Sequence, residues 1–317
     1  MQFNWPITKI GAKGWSALDA GLDGEAVGVS VRHRAGARPQ VVKCARSAAG
    51  ALGAEALSEL AGRVAVAGLP WTLPLKRGDY KMLVVAQPPV LPSEMERSLR
   101  WTLGSMIDFP VDEASVAWME IPTAQFQPNR AKHIYAIVSR KSVIDEQAAV
   151  FSQVKLNLQA IDVRETAQRN IAALLETKGE GLGLLSVGAG GVTITFTFGG
   201  ELYLDRFIEQ PLREIVSADE AGRQTIFERI ALQLSRSIDF ISRSFPFMPV
   251  QRIVVAPLPV PIGLCDYLAQ NLPVPVEEID LASVFDFSLT PELREAENQS
   301  RFFVALGAAL RGIGKKP

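Results

Sequence analysis

The sequence contains few of the residues that form disulfides or metal sites. Its two cysteines, Cys44 and Cys265, are far apart and belong to no CxxC motif, which excludes a disulfide framework and favours plain thiols in a reducing compartment. The two histidines, His33 and His133, have no second metal ligand nearby in the sequence. We therefore expect no zinc site.

The chain also lacks a long apolar run and a large excess of either charge. No apolar stretch approaches the roughly 18 residues that a membrane-spanning helix needs, and the first residues contain no signal-peptide core. A formal net charge of −1 gives no reason to expect nucleic acid as a partner. These absences predict a cytosolic protein. The mixed aromatic residues and lysines of residues 1–15 either touch a membrane surface or, as we favour, pack on their own domain.

What the sequence does contain is a repeated order of β-hairpins and helices. Residues 26–34 alternate and are rich in β-branched residues, and with the following "PQVVKCAR" they predict a hairpin. Residues 183–208 predict three further strands joined by glycine turns. A long helix at residues 218–243 carries an apolar stripe at helical spacing. Two such sets in 317 residues predict an α/β protein with two similar lobes.

Three stretches of the sequence resemble PilM-type pilus assembly proteins. Residues 91–121 combine a helix, an aromatic-proline turn and a strand, as in that family, and residues 133–174 follow with strand, helix, strand and helix. The last stretch, "FFVALGAALR" at residues 302–311, is similar to the C-terminal helix of the family. The resemblance covers about residues 25–312, and the nearest branch is the MshI-like proteins of mannose-sensitive haemagglutinin type pili.

This resemblance implies the actin-like ATPase fold, in which two similar lobes flank a nucleotide cleft. In PilM-type proteins an FtsA-like small subdomain is inserted in the first lobe. The implied boundaries are a first-lobe core at 25–67, the inserted subdomain at 68–160, a connection at 161–180, a second lobe at 181–298 and a C-terminal helix at 299–312 that returns to the first lobe.

The resemblance also implies a location and a partner. The implied protein is soluble and lies at the cytoplasmic face of a bacterial inner membrane. There it binds the cytoplasmic tail of a bitopic PilN-like protein and works with other pilus assembly proteins. Membrane contact is then indirect or peripheral, and a homodimer stays open. The candidate partner-binding residues are Trp71, Leu73, Leu75 and Trp101, with a place in the core as the alternative for each.

The implied nucleotide cleft is altered at most of its motif positions. Actin-like ATPases bring backbone N–H groups to the phosphates from two hairpins, each with an acid that holds magnesium, and a late Gly-Gly turn approaches the adenosine. Glycines and a threonine survive in the second hairpin, whereas the acids and the adenosine turn are replaced. The positions concerned are Ser30, Arg32, Ser186, Gly188, Gly190, Gly191, Thr193, Ala256 and Pro257.

These replacements favour a vestigial cleft, with no catalytic residues, no metal and no cofactor. A serine brings no charge to magnesium, and proline removes a backbone donor. Arg32 either plugs the cleft or binds a phosphate itself. We therefore expect a non-hydrolysing scaffold of pilus assembly. The alternative is a regulatory ATP-binding protein of pilus assembly or of type II secretion, whose L-type protein shares the fold.

Overall fold

The computed structural model describes most of the chain and contains three β-sheets. The described residues are 14–20, 25–34, 36–47, 54–123, 126–127 and 131–312. The strands are β1 (Gly14–Ala20), β2 (Ala26–Arg32), β3 (Gln40–Ser47), β4 (Trp71–Pro74), β5 (Tyr80–Ala86), β6 (Ala114–Glu120), β7 (His133–Arg140), β8 (Leu158–Asp162), β9 (Gly181–Gly188), β10 (Gly191–Phe198), β11 (Glu201–Ile208), β12 (Val250–Val255) and β13 (Val276–Glu278).

Helices cover the sheets. They are α1 (Ala54–Val64), α2 (Met95–Leu103), α3 (Lys141–Gln153), α4 (Arg164–Leu175), α5 (Leu212–Ser217), α6 (Glu220–Ser244), α7 (Leu264–Asn271) and α8 (Ala296–Ala308). Short 3₁₀ turns lie at Val111–Glu113, Leu281–Ser283 and Pro291–Arg294. Among the helices of the described segments, none is long and apolar enough to cross a membrane.

The two five-stranded sheets have the same topology, which confirms the prediction of two similar lobes. The first sheet has the order β3-β2-β1-β4-β8, and the second has the order β11-β10-β9-β12-β13. In each sheet the first three strands of the lobe are antiparallel, and the next two add in parallel. Strand β9 in the second lobe therefore corresponds to strand β1 in the first.

Both faces of the first sheet are buried. Val27, Val29 and Val31 of β2 point into a core that α4 and α8 complete. On the other face, Leu18 packs with the apolar stripe of α1, which includes Leu57. A strand that is buried on both faces is apolar or small at every position rather than alternating, as parallel and central strands commonly are.

The first lobe begins earlier than the predicted boundary at residue 25. Strand β1 occupies residues 14–20 and lies in the middle of the sheet between β2 and β4. The sequence of β1, "GWSALDA", hides its strand character because both of its faces are buried. The prediction for the aromatic and basic residues at 1–13 lies outside the described residues.

The inserted subdomain is smaller than the predicted 68–160. Strands β4 and β8 belong to the first-lobe sheet, because β4 pairs in parallel with both β1 and β8. Helix α3 also belongs to this lobe, since its Phe151 shares a core with Trp71 and Leu57. The subdomain is the three-stranded sheet β5-β7-β6, which α2 covers on one face through Leu99 and Leu103.

The predicted connection at 161–180 is largely a helix, α4, which packs against α8. Helix α8 also contacts β1 and β2 of the first lobe, and it spans 296–308 where the sequence-based boundary was 299–312. The two helices therefore cross at the junction between the lobes, where they position one side of the cleft described next.

Candidate functional site

A cleft lies between the lobes, where the β1–β2 hairpin faces the β9–β10 hairpin. Its walls include Asp19 from the first lobe, Arg164 from the start of α4 and the glycine turn of the second lobe. The cleft contains seven of the nine residues that the sequence places there, namely Ser186, Gly188, Gly190, Gly191, Thr193, Ala256 and Pro257.

Ser30 and Arg32 do not belong to this cleft, contrary to the sequence-based assignment. Ser30 is fully buried in the middle of β2, where its hydroxyl lies 2.7 Å from that of Ser16 and donates a 2.6 Å hydrogen bond to the Val64 carbonyl. Arg32 is exposed at the end of β2 that lies opposite Gly14. The strand length puts it roughly 20 Å from Ala26, at the end of β2 nearer the cleft. It therefore neither plugs the cleft nor reaches a ligand there.

The acid of the first hairpin is Asp19. The β1–β2 hairpin corresponds to β9–β10, so the acid position is near the end of β1 and not on β2. Asp19 is the last but one residue of β1 and lines the cleft beside Gly188 and Ala189. The sequence offered a signal, since "LDAG" at residues 18–21 has the Asp-x-Gly spacing, but the mistaken hairpin assignment concealed it.

Arg164 holds the Asp19 carboxylate. Its Nη1 donates to Asp19 Oδ1 at 2.8 Å, and both side chains are largely buried, with exposed fractions of 20% and 5%. Burial is the largest influence and opposes the charge on Arg164, but the attraction and hydrogen bond of Asp19, with the nearby Tyr80 and Glu165, together outweigh it and raise the pKa of the guanidinium. The carboxylate that would orient a metal ion in this fold is therefore already neutralised by a cation of the chain.

A second ion pair lies beside the first. Arg77, between β4 and β5, places Nη2 2.6 Å from Glu165 Oε1, and the Tyr80 hydroxyl donates to Glu165 Oε2 at 2.6 Å. The guanidinium of Arg77 stacks over Phe207 at 4.1 Å and reaches the hydroxyl of Thr193 at 3.4 Å. Arg77 thus links the first lobe to the second across the cleft.

Ser186, at the acid position of the second hairpin, is hydrogen-bonded to a neighbouring side chain. Its hydroxyl donates a 2.6 Å hydrogen bond to Gln168 Oε1. The amide nitrogen of Gln168 in turn bonds the Leu184 carbonyl at 2.6 Å and the Thr195 hydroxyl at 3.0 Å. This neutral network ties α4 to β9 and β10, and it offers no charge to a metal ion.

The turn that corresponds to the adenosine turn is also closed to a ligand. The backbone N–H of Ala256 donates to the Leu185 carbonyl at 2.7 Å, which extends the pairing of β12 with β9. Pro257 has no N–H. The two residues that would approach an adenosine through their backbone therefore have no donor left for it.

The residues present leave space at Gly188 but do not fit the magnesium of a nucleotide. A Cβ added to Gly188 would have its nearest neighbour 4.0 Å away, so the turn is open towards the cleft. Asp19 is paired with Arg164, and Ser186 replaces the second acid. Within the described ranges, no three His, Cys, Asp or Glu side chains cluster closely enough to hold a metal ion.

A second concave surface, the apolar groove, separates the three-stranded sheet from the first lobe. It is lined by Leu75, Ser115, Ala117, Ile137, Ser139, Ile144, Ile161, Asp162 and Val163. Strand β6 forms one wall, and in the part of the chain that the structure describes it pairs on one side only, with β7. Asp162 is neutralised by Arg311 at 2.6 Å, so the groove is apolar apart from two serines.

The structure separates the four predicted partner-binding residues. Trp71 and Leu73 are buried in the first-lobe core and cannot contact a partner, because β4 is a strand of that lobe. Leu75 is also buried but lines the apolar groove. Trp101 of α2 is 81% exposed, yet α2 packs on the opposite face of the three-stranded sheet from the groove, since side chains alternate along β6 and β7.

Neither a protein-family model nor the sequence of a curated protein matches this chain. Among solved structures, one described as a "PilM-PilN type IV pilus biogenesis complex" matches with a TM-score of 0.74 and 18% identity, over 96% of this chain and 99% of that chain. A Bacteroides thetaiotaomicron protein with an actin-like ATPase fold and unknown function matches with a TM-score of 0.49 and 9% identity, over 89% and 95% of the two chains.

The cytoplasmic domain of EpsL, an inner membrane component of the type II secretion system of Vibrio cholerae, has a TM-score of 0.47 and 8% identity, over 76% of this chain and 81% of that domain. Of these three matches, the first alone exceeds a TM-score of 0.5, and at 18% identity it establishes the fold. Together with the duplicated sheet topology, it confirms the prediction from the sequence: the chain has the actin-like ATPase fold, with a small subdomain inserted in its first lobe.

Proposed function

We propose that this protein is a scaffold of a bacterial type IV pilus assembly machine, of the MshI-like branch. It acts at the cytoplasmic face of the inner membrane and binds the cytoplasmic tail of a PilN-like bitopic membrane protein. Two independent observations support the proposal. The sequence resembles PilM-type proteins in three ordered stretches, and the fold matches that of a PilM-PilN complex over almost the whole chain.

The apolar groove carries this proposal. Peptides bind to folded domains by laying apolar side chains in a groove or by adding a strand to an exposed sheet edge. The groove offers both features, because Ala117 and Ile137 form an apolar wall and β6 has a free edge among the described strands. An extended tail with alternating apolar residues has the chemistry to pair with the edge of β6 and to place a small apolar side chain at the groove.

The proposed scaffold does not hydrolyse ATP. Hydrolysis in this fold needs carboxylates that orient magnesium and its bound water. Here the charge of Asp19 is neutralised by Arg164. The Ser186 hydroxyl carries no charge and donates a hydrogen bond to Gln168. A purified sample should release no phosphate from magnesium ATP above a protein-free control.

Calorimetric titration with a synthetic peptide tests the proposed function. The peptide copies the cytoplasmic tail of the PilN-like protein. Ala117→Glu places a charge inside the groove, while Leu91→Glu places the same charge on an exposed site of the same subdomain and serves as the matched control. We expect binding in the micromolar range by the unaltered protein and the control, and a loss of about tenfold or more for Ala117→Glu.

Two outcomes would count against this proposal. No heat from the unaltered protein would refute peptide binding altogether. Equal affinity in Ala117→Glu and the unaltered protein, with thermal unfolding showing that both are folded, would refute the groove as the binding site.

A further inference from the structure

The cleft between the lobes contains two guanidinium groups where the fold would have a magnesium ion and its ligands. Arg164 lies at the point where the two hairpins approach each other, and it borders the cleft together with Gly188 and Ala189. Arg77 borders the same cleft and reaches Thr193 of the second hairpin. Each guanidinium is fixed by a carboxylate behind it, Asp19 for Arg164 and Glu165 for Arg77.

Each of these arginines has donors to spare. A guanidinium carries five N–H donors in a fixed plane. Among the described residues, the hydrogen bond of Arg164 to a side chain is that of Nη1 with Asp19, which leaves Nε and Nη2. The contacts of Arg77 with Glu165 and Thr193 both use Nη2, which leaves Nε and Nη1. A planar guanidinium with free N–H donors can hydrogen-bond to phosphate oxygens. Its positive charge repels a metal ion.

The part of the cleft at the glycine turn suits a phosphate ligand better than a nucleobase, and the two carboxylates in its other part, Glu25 and Glu297, are both paired with Arg301. At Gly188 the glycine turn is open, since an added Cβ would have its nearest neighbour 4.0 Å away, so an anion can approach the backbone there. The Ala256-Pro257 turn keeps no donor for an adenosine. The phosphate part of a ligand should therefore supply most of its affinity.

We propose that Arg164 takes the place of the divalent cation in this cleft, which binds a diphosphate-bearing anion without any metal. Asp19 then positions the guanidinium instead of orienting magnesium. This inference concerns the cleft alone and does not depend on peptide binding in the apolar groove, so either proposal can fail while the other stands.

The test is calorimetric titration of the full chain with inorganic pyrophosphate and with ADP, each in EDTA and in magnesium. We expect both ligands to bind in EDTA, with affinities within about fivefold of each other, and magnesium to bring no gain. Binding that requires magnesium would overturn the inference. So would the absence of heat from both ligands in EDTA, and a pyrophosphate affinity far below that of ADP.

Two substitutions sharpen this test. Arg164→Gln should weaken pyrophosphate binding by about tenfold or more, because it removes a charged donor, whereas Arg236→Gln, on the exposed side of α6, should change nothing. Asp19→Asn should keep or tighten metal-free binding, since the asparagine Oδ1 can still accept the hydrogen bond that positions Arg164 while the negative charge behind it is removed. Loss of binding in a folded Asp19→Asn variant, or unchanged binding in Arg164→Gln, would contradict the proposed role of Arg164.

Discussion

Gly307 of α8 lies directly against the backbone of Ala167 in α4. A Cβ atom on residue 307 would stand 2.2 Å from the Ala167 carbonyl oxygen, and the Asn170 side chain donates to the Gly307 carbonyl at 2.9 Å from the same helix face. Glycine is therefore required where the two helices cross between the lobes. It is also the glycine of "FFVALGAALR", the last of the three stretches on which the family resemblance was based.

Replacing this glycine should separate the helices. We expect Gly307→Ala to lower the free energy of unfolding by roughly 2–3 kcal/mol, because backbone atoms must move to admit the methyl group. Gly62→Ala is the matched control, since Gly62 lies in the last turn of α1 with nothing within 4 Å of its added Cβ. That change should stabilise by about 0.5–1 kcal/mol. Urea unfolding measures both, and equal effects of the two changes would contradict the close crossing.

The Asp19–Arg164 pair should be strongly coupled in stability. Removing one partner of a buried pair leaves a charge without compensation, at a cost of about 3–5 kcal/mol when burial is complete. Because Arg164 is 20% exposed, we expect Arg164→Gln to lower the free energy of unfolding by roughly 2 kcal/mol. The double variant Asp19→Asn with Arg164→Gln should lose less than the sum of the single changes. A double-mutant cycle by urea unfolding tests this expectation, and additive losses would show that the pair is not coupled.

Asp205 should give the protein a stability that depends on pH. Burial, with the nearby charge of Glu165, raises the pKa of this carboxyl to about 6 despite Arg206, Arg77 and the Tyr135 hydroxyl. Because the folded state binds this proton more tightly than the unfolded state does, stability contributed by Asp205 rises as the pH falls from 7 towards 4.

The Asp205→Asn variant should therefore lose part of this pH dependence. The free energy of unfolding of the variant minus that of the unaltered protein should be larger at pH 7.5 than at pH 4.5, by about 1–2 kcal/mol. Asp239→Asn, on an exposed position of α6, is the control and should follow the unaltered protein at both pH values. Parallel pH profiles for all three proteins would contradict the raised pKa.

The two tryptophans predicted to bind a partner should behave differently on truncation. Trp71→Ala should cost about 3–5 kcal/mol, because it removes a core side chain that packs on Phe151. Trp101→Ala should change stability by less than about 0.5 kcal/mol. Since α2 lies on the far face of the subdomain sheet, Trp101→Ala should also leave the affinity for the peptide unchanged. A clear loss of peptide affinity would place the partner on α2 instead of in the apolar groove.

The sequence predicted the elements whose periodicity is strong and uninterrupted. Helix α6, predicted at 218–243 and found at Glu220–Ser244, has a stripe of buried residues from Phe227 to Ile241. The hairpins of the second lobe were also found where predicted, because glycine turns bound them clearly. Strand β1 escaped prediction because both of its faces are buried, so no alternation marks it.

The site was harder to predict because one missed strand displaced its whole first half. Without β1, the hairpin β2–β3 took the place of β1–β2, and the acid position fell on Ser30 rather than on Asp19. The roles of Arg77 and Arg164 had no local signal, since their partners are more than 80 residues away in the chain. Such pairs depend on how the lobes meet, which periodicity and spacing do not encode.

Hydrogen–deuterium exchange with and without the PilN-like tail peptide tests the central claim most directly, because it locates the peptide on the chain. We predict slower exchange in β6, at residues 114–120, where the peptide adds to the free edge, and in neighbouring α3, at residues 141–153. Exchange in the β9–β10 hairpin should stay unchanged. Protection confined to that hairpin, or no protection at saturating peptide, would contradict the account of this protein as a scaffold that holds its partner in the apolar groove.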